Sequence, residues 1–146
     1  MGWLGRRLGS APRVGLFVDG PNVLREEFDV DLEDLRAAGT VRGRLVVSRL
    51  YLDENATSGL VQAGEAHGFD VRITSGDVDV KLAVDATAAI HEADLDVLAI
   101  ASRDTDFKPV FEVAGRSGVE TLAIAPGEHG RSDALVSAAG EAVVLE

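Results

Sequence analysis

Short apolar runs alternate with helix-like stretches along the whole of this chain, and few architectures tolerate that rhythm. Val14-Gly15-Leu16-Phe17-Val18 and Val97-Leu98-Ala99-Ile100-Ala101 read as strands buried on both faces, with Leu45 to Leu52 and Val119 to Ala125 as two further strands. Asp70 to Thr74 alternates in polarity, which suits a strand near a sheet edge. Helical patterns fill the gaps: about Val23 to Ala38, Thr57 to His67 closed by Gly68, about Val80 to Ala93, and Phe107 to Gly115. Phe28-Asp29-Val30-Asp31 can break the first of these and make Asp31 a fresh N-cap. A short helix near Ser132 to Ala139 and an apolar run from Ala142 to Leu145 complete the chain. Parallel neighbours require crossover connections, so the alternation implies an α/β fold, a mostly parallel sheet of about five strands with helices on both faces.

Nothing divides the chain internally, and 146 residues with 46% apolar content suffice for one domain with its own core. Residues 1–12 form a basic leader, because Met1 to Leu8 carries Arg6 and Arg7 and lacks the apolar centre of a signal peptide. No apolar run approaches the roughly eighteen residues of a membrane span, so the expectation is a cytoplasmic protein with no membrane partner.

The formal net charge of −11 argues against a broad basic surface for nucleic acid. Lys81 and Lys108 are the only lysines, and the acidic residues are spread over every segment. That pattern resembles the proteins of salt-loving archaea, in which acidity solvates the whole proteome. Phosphate binding would then fall to metal ions and local arginines, since affinity from counterion release collapses in high salt. With 5% aromatic residues, and Trp3 and Tyr51 isolated, there is no base-stacking platform.

The chemistry-bearing pattern is a set of aspartates at matching places. Asp19 ends the first strand, Asp104 and Asp106 follow the fourth, and the helix between strands three and four carries Asp79 at its start and Asp85 one to two turns in. If strands one and four are neighbours, these groups converge on one cleft at the carboxyl ends of the strands. Like charges about 4 Å apart cost several kcal/mol at an effective dielectric near 20, and a divalent cation relieves that repulsion. Oxygen ligands select Mg²⁺ or Mn²⁺. Zinc is disfavoured, since there is no Cys and His67, His91 and His129 share no ligand spacing. Metal-activated water beside such carboxylates is phosphodiester-cleaving chemistry.

Each residue also has a plainer reading. Asp104 and Asp106 can cap the next helix, and Asn22 can cap the first helix or orient water. Lys81 and Asp85, four apart, can form an ordinary ion pair. Lys108 can meet a substrate phosphate or stay solvated; His129 can reach the cleft from the Gly-rich loop, and Arg131 with Ser132 can bind phosphate or merely shape that loop. A haloacid-type phosphatase would need an aspartate where Pro21 stands, and a receiver domain would need a late-strand lysine.

Three segments, Val14 to Asn22, Val78 to Asp85 and Ser102 to Phe107, together resemble the three motifs of the NYN domain family in the PIN-like nuclease superfamily, close to its archaeal and LabA-like groups. The resemblance covers about residues 13 to 146, and the order and spacing of the motifs carry it. It implies a Rossmann-like three-layer α/β/α sandwich and a metal-dependent ribonuclease site acting on single-stranded or structured RNA. Asp19, Asp79, Asp104 and Asp106 would hold Mg²⁺ or Mn²⁺, with Asp85 in or beside that shell and Asn22 placing water. A homodimer is the family-level expectation. Two departures stand out: Gly76-Asp77 replaces the lysine and glycine frequent before the second motif, and Arg103 replaces the usual glycine of the third. Arg103 could contact a scissile phosphate or pair with nearby acids. The competing expectation is a PIN-like domain of weak or lost activity that binds RNA or protein in regulation.

Overall fold

A computed structural model of the chain describes residues 11–24, 31–104, 107–126 and 140–145. In order these form β1 (Arg13–Asp19), α1 (Gly20–Val23), α2 (Leu32–Gly39), β2 (Arg44–Asp53), α3 (Ser58–Ala66), β3 (Asp70–Thr74), α4 (Val78–Glu92), β4 (Val97–Ala101), α5 (Lys108–Arg116), β5 (Glu120–Ala125) and β6 (Glu141–Val144). All strand pairings are parallel, and the six strands run in the order β3-β2-β1-β4-β5-β6. The sixth strand, one beyond the expected five, comes from the last apolar run, whose backbone pairs with Leu122–Ala125. β3, with its alternating polarity, lies at an edge as expected.

Two apolar cores sandwich the sheet. On one face Phe17, Tyr51, Leu98 and Ile100 meet Val78, Leu82 and Ala86 of α4 and Val110 and Phe111 of α5. On the other, Leu16, Val18, Leu50 and Leu52 meet Val23 of α1 and Leu32 and Leu35 of α2, with Leu60 and Val61 of α3 packed alongside. Successive strand residues alternate between these cores, which is why β1 and β4 are apolar at every position between their polar ends and why neither could be an edge. The result is a three-layer, doubly wound sandwich whose chain reverses direction across the sheet between β1 and β4.

Local chemistry sets the helix ends. Asp31 accepts from Asp34 N at 2.9 Å and Asp34 accepts in return from Asp31 N, a capping box that starts α2. Thr57 Oγ1 caps α3, and Gly68, with φ +88°, ends that turn where a side chain would be strained. The stretch from about Val23 to Ala38 is not one helix: α1 is a single turn and α2 starts afresh at the Asp31 N-cap that the sequence offers, while the Phe28–Val30 break itself lies outside the described residues. α4 begins at Val78, two residues earlier than the pattern suggests, so Asp79 sits in its first turn.

Candidate active site

β1 pairs with β4 through Val18 and Ala101, which leaves Asp19 and Ser102 side by side just beyond the last paired rung. Asp19 is only 4% exposed and Ser102 2%. Ser102 Oγ donates to Asp19 Oδ2 at 3.2 Å and accepts from Asp104 N at 3.0 Å, so one hydroxyl fixes both carboxylate-bearing residues. Asn22 Oδ1 accepts from Arg103 N at 3.2 Å and ties α1 to the same turn. Asn22 is therefore neither the cap of α1, whose N-cap is Asp19, nor free to turn its carbonyl elsewhere at no cost. Gly20 is required where β1 enters α1, since a Cβ there would lie 2.5 Å from both Tyr51 O and Leu52 Cδ2.

Asp19, Asp79 and Asp104 share a cleft of about 360 Å³ with Asp53 and Asp77. Burial pushes the Asp19 carboxyl up from 3.8 to about 6; the Ser102 hydrogen bond opposes that, the charges of Asp104 and Asp79 add to it, and the Asn22 backbone bond opposes it. A carboxylate held in this way gains from a neighbouring cation, and a wall rich in carboxylate oxygens suits Mg²⁺ or Mn²⁺. The donor chemistry fits such an ion. Among the described residues, however, no three acidic or histidine side chains already stand close enough to cage one. Asp106 lies outside the described residues.

Asp85 stands apart from the cleft walls. Tyr51, fully buried on β2, donates its hydroxyl to Asp85 Oδ2 at 2.8 Å, and Lys81 Nζ lies 3.2 Å from Oδ1. The plain ion-pair reading of Lys81 and Asp85 is the one observed. Burial and the bond to Asp85 push the Tyr51 phenol well above its ordinary value, so it stays protonated and keeps donating.

Phe107, not an aspartate, is the N-cap of α5, so Asp104 is not that helix's N-cap. Arg103 and Lys108 are not among the cleft walls; Lys108 is an exposed first residue of α5. His129, Arg131, Ser132 and the helix expected near 132–139 fall outside the described residues, as does the leader before Ala11.

Three contributors have no role in the sequence pattern. Ser102 stands inside the third motif with nothing to mark it, Tyr51 registers only as an isolated aromatic, and Asp53 does not register among the aspartates. Asp53 nevertheless carries a signal: it ends a strand, as Asp19 does, and β2 pairs with β1.

A doubly wound parallel sheet with buried and half-buried carboxylates at its switch point defines an α/β protein of the class whose ligands bind beyond the strand ends. The profile of the NYN domain matches residues 13–146, and the chain belongs to the NYN domain family of the PIN-like nuclease superfamily. It is 39% identical over 130 residues to an uncharacterised protein of Methanocaldococcus jannaschii, a match covering 89% of this chain and 54% of that one. The chain thus spans about half the length of that curated relative. A crystal structure of a protein of unknown function from Vibrio parahaemolyticus has the same fold, with a TM-score of 0.80, 19% identity and 97% of each chain covered.

Proposed function

We propose that the protein is a divalent-metal-dependent ribonuclease that hydrolyses phosphodiester bonds of RNA at the Asp19 cleft. What supports this most is the Asp19 carboxyl, 4% exposed at the switch point and pushed up to about 6 with Asp104 and Asp79 nearby. Burying such a group without a counter-charge is unfavourable, and a bound cation would offset that penalty. Asp19, Asp79 and Asp104, with Asp106, would hold Mg²⁺ or Mn²⁺, which when bound supplies water activation and neutralises charge on the phosphate. Ser102 holds Asp19 and the Asp104 backbone in register, and Asn22 holds the turn between them. Arg103 and Lys108, the basic residues beside that turn, are the candidates for binding substrate phosphate. The acidic surface makes the ion doubly necessary, because a chain of net charge −11 repels RNA until the cleft is neutralised. We place this activity in the cytoplasm, with a homodimer as the working assembly.

A second reading has its own supporting observation: Asp85 is engaged by Tyr51 and Lys81, and no ready-made cage exists among the described residues. In that reading the domain binds RNA or protein with weak or no catalysis. Cleavage of labelled single-stranded and structured RNA in high KCl with Mn²⁺ or Mg²⁺ separates the two. Wild type is expected to cleave and Asp104→Asn is not. Equal cleavage by both would move the chemistry elsewhere, and no cleavage by either across a broad substrate set would favour the binding module.

A further inference from the structure

The acidic cleft is not isolated. Pro21 and Asp53 line both it and a second recess of about 200 Å³, which Gly20 and Leu24 bound at α1 and Leu60 bounds at α3. The two hollows differ in chemistry. The first is lined chiefly by carboxylates, whereas the second sets Leu24, Leu52 and Leu60 against the polar side chains of Asp53, Asn55 and Thr57. Leu52 is buried in the core beneath it, and Leu60 and Leu24 pack against the same core, so these walls are held in place by the fold. Asp53 Oδ1 accepts from Asn55 N at 2.9 Å, which fixes the turn that carries the Asn55 amide.

We infer that this recess takes one nucleobase of the RNA strand whose phosphate lies in the acidic cleft. The inference rests on the ribonuclease reading for the identity of the strand, and on the recess itself for the base. Ligand pockets for larger molecules run to about 300–1,000 Å³, so 200 Å³ suits a single ring system and excludes a stacked pair. Apolar walls reject phosphate and ribose hydroxyls and accept the face of a base. The Asp53 carboxylate and the Asn55 amide supply an acceptor and a mixed donor–acceptor group at the margin, which suits the polar edge of a base splayed out of a single strand. Because Pro21 and Asp53 line both hollows, the recess adjoins the acidic cleft, as a flanking nucleotide requires. It also offers a place to hold a base that needs no aromatic platform.

Neutral oligonucleotides isolate the base from both charge and catalysis. A tetranucleotide with methylphosphonate linkages, which the protein cannot hydrolyse as a phosphodiester, is compared with its abasic counterpart by equilibrium binding to the full chain. Wild type is expected to prefer the base-bearing probe by roughly tenfold, the worth of removing part of one base face from water. Ala56→Phe, which fills the recess from the turn lining it, is expected to erase that preference, and Asn55→Ala to reduce it by a few fold. Asn55 is exposed, so its variant tests the inference even where the larger side chain impairs folding. Equal binding of the two probes by wild type, or an unchanged preference in both variants, would overturn the inference. A preference for bases without any RNA cleavage would sink the nuclease reading and keep the recess. Cleavage with an unchanged KM in both variants would do the reverse.

Discussion

Asp19 and Asp85 belong to the same proposed constellation, yet the fold treats them in opposite ways. Asp19 is buried among like charges, and among the described residues a serine hydroxyl and a backbone amide support it. Asp85 has a lysine on one oxygen and a tyrosine hydroxyl on the other. The first arrangement leaves a group with unmet electrostatic demand, which a cation would satisfy. The second is already satisfied by the protein, and its plainest consequence is mechanical: it ties the middle of α4 to β2 and so steadies the helix whose first turn presents Asp79. Within one acidic motif set, charge balance thus separates the carboxylate proposed to bind an ion from one proposed to position a helix.

The largest expected effects fall on Asp19. Asp19→Asn should lower cleavage by more than about a hundredfold, since several kcal/mol of transition-state stabilisation depend on holding the ion. Without metal the same variant should be more stable than wild type at about pH 7.5. The folded-state value of about 6 lies above the ordinary 3.8, so folding favours the protonated acid. Stability from this group is intact below about pH 4, falls as pH rises towards 6, and stays reduced above that. The difference between 3.8 and about 6 is worth about 3 kcal/mol. Urea unfolding in EDTA at about pH 4 and about pH 7.5 measures it: the variant's advantage should appear only at the higher pH, and an equal advantage at both would remove the electrostatic account.

Metal addition sharpens the same contrast. Mn²⁺ at about a hundred times its dissociation constant should stabilise the native state by about 2.7 kcal/mol, seen as a rise in melting temperature. Asp19→Asn should lose that rise. Tyr51→Phe should keep it, because it disturbs only the Asp85 tie. Its own cost should be about 1–2 kcal/mol in denaturant unfolding, the loss of a buried hydrogen bond to a charged group. If Tyr51→Phe abolished the metal response while folding normally, Asp85 would belong with the ligands and the division between the two aspartates would fail.

Why the sequence exposes one member of this pair and conceals the other is a matter of distance along the chain. β1 and β4 announce themselves as apolar runs, and an aspartate just past such a run must lie at the sheet's rim, so Asp19 and Asp104 are legible without coordinates. The Asp31 cap and the Gly68 terminator are equally local and equally plain. Asp85 is not local in this sense. It lies six residues beyond Asp79, about 9 Å further along the helix axis, and a helical wheel shows only that it borders the buried stripe. Which neighbour it meets depends on β2 lying beside β1 and on Tyr51, 34 residues earlier in the chain, pointing to the α4 face. Asp53 is an intermediate case: it ends a strand as Asp19 does, so its place at the rim is locally readable, and only its neighbours depend on β2 lying beside β1. Strand order, not residue pattern, decides these contacts.

The weakest link of the tie gives the smallest effect and the closest test of what Asp85 needs. Lys81 is about half exposed and pairs with Asp85 at i,i+4, so solvent screens most of its attraction. Lys81→Ala should therefore cost no more than about 0.5 kcal/mol, and less in high KCl. The buried Tyr51 hydroxyl would then carry the positioning of Asp85 nearly alone. Combining Lys81→Ala with Tyr51→Phe makes the distinction measurable. If the two groups hold one carboxylate jointly, the double variant should lose more than the sum of the singles, because Asp85 is left with neither partner. Strict additivity would mean that the two contacts act independently, and that α4 is positioned by its apolar face against Phe17 and Leu98 rather than by its carboxylate.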